Sequence, residues 1–513
     1  MNDQQHDVDI DHSRPLDVHK WSDYPEVNRW VYSFWDEHLS THFSGKQRGP
    51  KPKQDPKYQF KVLLLDVYVA WREDPTLLVG VSKSKSGYKA GSRYNALHIS
   101  SLLIKLIDAL VAKGYLEQKL GTEGAGRVSR IWPTAALISY FETAEFSDFD
   151  ISRKDQECIV LHDTKDEDDT AKPLEYNDDD HPAIKPARAV LQTYNDLIST
   201  LHIDIPSLET PEVQTSCWNK KAKRWRIVPV RQTNKFVRRI FYRSDWNVGG
   251  RFHGGWWQQV PSDYRQHIYI DGQATVEVDY SSLHIALAYA LEGHQPPEAP
   301  YEIELKDTGI PKHLQRGFVK QLVLTAINAK DRPSTYQAFR NEVNTEHRKS
   351  QLPKLTNEVL EAVLDTFIEA NKPIESYIAS DKGVELMAVD GRVTNTLIKK
   401  FTELQKPILT VHDSYIVLFE DERLLKQLME TTLQEETGNY SFKMKAESLS
   451  PMEAEAMRDP MDPSRRYDAY NALGNKTKIT EQYRQRLEHF KNWRSSLLRG
   501  DSKDLGVEVV EEA

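Results

Sequence analysis

Cysteine is almost missing from this chain. Its 513 residues hold only Cys158 and Cys217, too few and too far apart for a disulfide framework or a cysteine-based zinc site, which suits a reducing compartment. No apolar run is long enough to cross a bilayer, and the N-terminus lacks a signal-like apolar stretch. The expectation is a soluble, cytoplasmic protein with no membrane partner. No internal repeat is visible, which excludes solenoids and propellers. Residues 1–20 are polar, have little apolar periodicity and read as disordered. Positive charge is in deficit overall, at a formal −9, yet that average hides segregation of basic and acidic stretches along the chain.

What is present centres on two short stretches. Val276-Glu277-Val278-Asp279-Tyr280 alternates like a strand and is followed by Ser281-Ser282-Leu283-His284-Ile285-Ala286, which has a helical pattern. A buried strand would therefore deliver Asp279 to the mouth of a cleft. Pro407 to Leu418 reads as two apolar strands folded back on a polar tip of His412, Asp413 and Ser414. If the two tips face one another, their carboxylates form the hard oxygen site that Mg2+ prefers, and paired Mg2+ ions serve phosphoryl transfer. Between them, Pro311 to Asn328 reads as a helix on which Arg316 and Lys320 are i, i+4 neighbours. Two like charges side by side suit an anion such as a triphosphate.

The order Asp279, then Arg316 and Lys320, then His412-Asp413 resembles motifs A, B and C of the family A DNA polymerases and of the related single-subunit, phage-type RNA polymerases. Gly249-Gly250-Arg251-Phe252, followed by Trp257-Gln258-Gln259-Val260-Pro261 and Arg265, resembles the segment that precedes motif A. The resemblance covers roughly residues 245–420. It implies an α+β right-hand polymerase, with an antiparallel palm sheet and helical fingers. Two Mg2+ ions, replaceable by Mn2+, would be held by Asp279, Asp413 and the Tyr280 carbonyl. Arg316, Lys320, His284, Leu324 and Asn328 would meet the incoming nucleotide. Arg251, Gln258, Arg265 and His412 would lie along a DNA primer-template.

Departures from the family pattern bear on substrate choice. Leu324 and Asn328 stand where the family carries an aromatic residue and a tyrosine, so the nucleotide platform is altered. His284 stands where DNA-synthesising members place a glutamate that blocks a ribose 2′-OH. His412-Asp413-Ser414 is closer to the RNA-polymerase form of motif C.

The remaining chain divides by composition. After a flexible segment, 1–56, residues 57–141 read as helix (Tyr58 to Trp71), strand (Leu77 to Val81), short helix (Ser92 to Ile99), longer helix (Ser101 to Lys113) and a hairpin around a Gly-rich turn. This order resembles a winged-helix domain, with Lys119, Arg127 and Arg130 placed for DNA backbone contact. Residues 142–185 are acidic and read as a linker around a strand at Cys158 to Leu161. Residues 186–250 are basic and thumb-like, with Lys220, Lys221, Arg224, Arg238 and Arg239 among aromatics in the pattern of a nucleic-acid footprint. Residues 251–450 would be palm and fingers, and 451–513 a polar tail with one helix near Glu481 to Leu497. No proofreading exonuclease pattern is found. The resulting expectation is a DNA polymerase of replication or repair, working with other replication proteins. A primase or small RNA polymerase is the first alternative, and a catalytically inactive DNA-binding initiator or regulator the second.

Overall fold

The computed structural model describes residues 9–43, 55–121, 128–164, 172–219, 224–343, 352–447 and 478–498. The chain is mixed α+β, rich in helices and antiparallel pairings, and forms two compact units that cut across the expected segments. The first unit gathers Met1–Glu157, Leu208–Asn234 and Thr480–Ala513; the second gathers Cys158–Ser207 and Lys235–Ile479. Among the described residues no helix is long and apolar enough to cross a membrane.

In the first unit, helix Pro56–Glu73 is the core element. Proline opens its first turn and the Asp55 side chain accepts the Lys57 N–H at 2.8 Å, satisfying one orphan donor of the helix start. Its middle is buried on nearly every side, and Asp66 lies fully buried there. A buried carboxylate needs a partner. Arg14 supplies it at 2.7 Å, and the Asp17 N–H donates to the same carboxylate at 3.0 Å.

That demand corrects the disorder expected before residue 21 for residues 9–20; residues 1–8 lie outside the described residues. Ser13–Pro15 pairs in parallel with Leu78–Gly80, and Lys20–Trp21 pairs with Ser152–Arg153. The four-stranded sheet runs Ser13–Pro15, Leu78–Val81, Ser129–Pro133, Leu116–Lys119. Helix Leu102–Ala112 follows the expected span, but Ser92 to Ile99 is a run of turns rather than a helix. Asn95 explains it, since its side chain bonds both the N–H and the carbonyl of Ile99 and so competes with helical bonding. Arg127 lies outside the described residues.

The C-terminal helix, Glu481–Leu498, also belongs to this unit. Phe490 and Trp493 pack on Phe149, and the Trp493 Nε1 donates to Asp150 at 2.8 Å. The expected acidic linker is likewise structured over residues 142–164 and 172–185; residues 165–171 lie outside the described residues. Ile159–Leu161 enters a sheet of the second unit, because its three apolar side chains are buried there.

The second unit positions the candidate site. Strands β1 (Val237–Tyr242) and β2 (Asp245–Gly254) form a hairpin. β3 (Gln273–Tyr280) leads into helix α1 (Leu283–Leu291), followed by α2 (Lys312–Ile327) and the long α3 (Gly383–Glu403). β4 (Ile408–Val411), β5 (Ser414–Leu418) and β6 (Met444–Glu447) complete the main sheet. β5 lies between β4 and β3, and β6 pairs with the C-terminal half of β3, all antiparallel. α3 lies against β2 so closely that a Cβ on Gly391 would stand 2.3 Å from the Gly250 carbonyl oxygen.

Candidate active site

β3 alternates as its sequence requires. Val276, Val278 and Tyr280 are buried, and the Tyr280 hydroxyl donates to the Met429 carbonyl at 2.7 Å. The other face carries Glu277 and then Asp279. Glu277 is buried but answered on both sides: Arg265 Nε donates at 2.9 Å and Ser414 Oγ at 2.5 Å. Asp279 stands opposite Ser414 on β5, and the Tyr280 N–H donates to the Asp413 carbonyl at 3.4 Å. Asp279 and Asp413, remote in sequence, thus occupy adjoining positions at one end of the sheet. His412 makes the turn between β4 and β5 with a φ of 56°, a left-handed conformation that compacts the tip.

Behind the tip lies a charged group held by three elements. Arg251 on β2 donates through Nε to Asp390 on α3 at 2.6 Å and meets His284 Nε2 on α1 at 2.9 Å. Burial, reinforced by the Arg251 charge, pushes the His284 imidazole down to about 4 against the pull of Asp413. A neutral ring can then accept from the guanidinium. Burial pushes the Asp390 carboxyl up to about 6; Arg251 opposes the rise and Asp413 adds to it. Arg251, His284 and Asp390 therefore share one electrostatic neighbourhood with Asp413.

A cavity of about 480 Å³ opens beside the end of β3, lined by Ser281, Ser282, Tyr301, Arg316, Lys443 and Lys445 among others. Arg316 is exposed on α2 and lies 3.7 Å from Glu302. Lys445 stands directly across β6 from Asp279, so the two side chains leave the same face of the sheet. Lys443 and Lys445 were not found from sequence. Their signal was the alternation Phe442-Lys443-Met444-Lys445-Ala446, legible only once β6 is known to pair with β3.

The expected nucleotide residues are only partly brought together. Arg316 lines the cavity, and Lys320 lies exposed one turn further along α2. Leu324 and Asn328 line a different hollow, of about 670 Å³, with Gln321, Thr325 and Asp381. Each i, i+4 step advances about 40° around a helix of 3.6 residues per turn. Three such steps turn Asn328 roughly 120° away from Arg316.

Several expected nucleic-acid contacts bond to the protein itself. Gln258 donates to the Thr410 carbonyl at 2.8 Å and accepts the Gly254 N–H at 3.0 Å, while Arg265 is committed to Glu277. Arg238 is exposed, but its neighbour Arg239 is buried, because consecutive residues of β1 face opposite ways. This corrects their reading as a shared basic footprint. Lys119 is exposed and pairs in register with Arg130, whose Nε donates to Ser13 Oγ at 2.7 Å. Arg224 begins strand Arg224–Pro229, on which Trp225 and Ile227 are exposed; Lys220 and Lys221 lie outside the described residues.

As a cation site, the tip offers hard oxygen donors. No group of three or more His, Cys, Asp or Glu side chains is placed to hold a metal among the described residues. Asp279 and Asp413 with the backbone of Tyr280 fit Mg2+, which is commonly held by one or two carboxylates and keeps its other positions for water and substrate phosphates.

No family model and no curated protein matches the chain. Among solved structures, it is similar to a chain described as the POL domain of Pol1 from M. smegmatis in complex with DNA primer-template and dNTP, at a TM-score of 0.27 and 10% identity. That match covers 52% of this chain and 51% of the other, so it spans about half of the polymerase domain.

Proposed function

We propose that the chain is a template-directed nucleotidyltransferase, most specifically a DNA polymerase that extends a primer 3′-OH and releases pyrophosphate. The observation that carries this reading is the placement of Asp279 and Asp413 at adjoining positions beside a cavity lined by Arg316, Lys443 and Lys445. Oxygen donors for a hard cation next to fixed positive charge suit a polyphosphate.

In this reading Asp279, Asp413 and the Tyr280 carbonyl hold Mg2+, which when bound neutralises the phosphates and favours ionisation of the attacking hydroxyl. Arg316 receives β- and γ-phosphate oxygens through its planar fork, and Lys445 and Lys443 act as point charges along the same wall. Lys320 extends that positive face along α2. Neutral His284, held by Arg251, sits four residues beyond Tyr280 and faces the sugar rather than the phosphates. Exposed His412 at the tip lies beside the primer end. The strand, helix and hairpin of the first unit serve as a winged-helix-like DNA module, with Lys119 and Arg130 near its hairpin.

Primer extension with Mg2+ and deoxynucleotides tests the proposal. Asp279→Asn and Asp413→Asn should each lower the rate by at least about 10²–10³-fold, since each removes an anionic ligand of the cation that would stabilise charge at the reacting phosphate. Extension by either variant at the wild-type rate would remove the mechanism. Parallel reactions with ribonucleotides, on primed and unprimed templates, separate a DNA polymerase from an RNA-making enzyme.

A further inference from the structure

A third cavity, of about 300 Å³, lies within the second unit, with walls that include Arg239, Phe241, Trp246, Asn247, Arg392 and Asn395. Its feature is a buried cation with no ion-pair partner among the described residues. Arg239 is only 6% exposed, yet its bonds go to neutral groups: Nε to the Gly250 carbonyl at 2.9 Å and Nη1 to Asn395 Oδ1 at 3.2 Å. Among the described residues no carboxylate forms an ion pair with it. Glu436, the acid lining the same cavity, is taken by Arg392 at 2.8 Å.

The guanidinium is flanked by Phe241 and Phe252, at 5.0 and 5.4 Å from the ring centroids, a modest return for a charge withdrawn from water. Burial and the neighbouring Arg392 lower its affinity for its proton, to about 10, against the pull of Glu436. Such a site gains most from an anion. Its other walls ask for something flat: the Trp246 indole lies 5.2 Å from Phe241 and is stacked with His181, beside the amide of Asn247. The volume stands at the small end of ligand sites, about 300–1,000 Å³, which suits one nucleotide unit and excludes a longer chain.

We propose that this cavity binds a nucleoside monophosphate, its phosphate on Arg239 and its base against Trp246. Calorimetric titration of the full chain with adenosine monophosphate, adenosine and orthophosphate tests it. The monophosphate should bind one to one, with adenosine and orthophosphate each weaker by at least about tenfold. Arg239→Met should weaken the monophosphate by a similar factor. Ala388→Phe, which fills the cavity and leaves Arg239 in place, should abolish binding at an unchanged unfolding midpoint and decides the matter if Arg239→Met does not fold. Arg316→Ala, in the cavity beside β3, should bind as wild type. No heat at millimolar monophosphate, equal binding of adenosine, retention in Ala388→Phe or loss in Arg316→Ala would each overturn the assignment.

Discussion

The proton on His284 is the residue-scale quantity most open to measurement. Its affinity falls from the ordinary 6.5 to about 4 in the folded chain. The unfolded chain therefore takes up this proton first as pH drops. The neutral ring's stabilisation is complete above pH 6.5 and drains away toward pH 4, by up to about 3 kcal/mol at 1.36 kcal/mol per unit. Asp390, raised to about 6, has the opposite sense, because its protonation favours the folded form between there and 3.8. Comparing wild type with His284→Gln cancels Asp390. The wild-type unfolding midpoint should fall relative to the variant as pH goes from 6.5 to 4.5; parallel curves would contradict it. Lys445→Ala should raise the nucleotide KM about 10–150-fold, the loss of one charge-assisted bond, with the unfolding midpoint nearly unchanged. At this scale the positions of Asp279 and Asp413 at strand tips and of Arg316 on a helix were legible, because alternation and helical spacing leave a local pattern. The place of Lys445 opposite Asp279 was not, because it comes from a cross-strand register that no local spacing encodes. Gln258 and Arg239 misled for the same reason: nothing local tells a solvent-facing polar group from one bonded to a distant backbone.

Among the elements, two helical glycines should respond in opposite directions. Gly391 on α3 faces the Gly250 backbone with no room for a methyl, whereas a Cβ on Gly317 of α2 meets nothing within 4 Å. Gly391→Ala should cost at least about 1–3 kcal/mol by overpacking. Gly317→Ala should stabilise by up to about 1 kcal/mol, the helix-propensity difference. Denaturant midpoints read both; a neutral Gly391→Ala would mean that α3 and β2 separate easily. Long helices were legible to within a few residues, as Pro56–Glu73 and Lys312–Ile327 illustrate. Ser92 to Ile99 was not, because Asn95 spends its amide on the backbone. Nor was the edge strand Ser13–Pro15, since three residues carry too little period to read.

For the whole molecule, the division into two units was the least legible property, because a compact unit assembled from separate segments leaves no boundary in composition. The closing helix Glu481–Leu498 shows this, with a polar sequence that nonetheless buries Tyr483 and Phe490. Phe490→Ala should cost about 3–5 kcal/mol in the unfolding of the first unit and leave the second unaffected. Proteolysis at rising denaturant, with fragments identified by mass, reads the units separately. Equal loss in both would mean that they unfold together.

That arrangement has a consequence for biogenesis. The helix that covers Phe149 is translated long after Phe149 itself, so a nascent chain carries an open apolar surface while the residues between Phe149 and Glu481 are being added. Ribosome stalling or truncation just ahead of Glu481 would release an aggregation-prone polypeptide even though every proposed reaction residue had already been made.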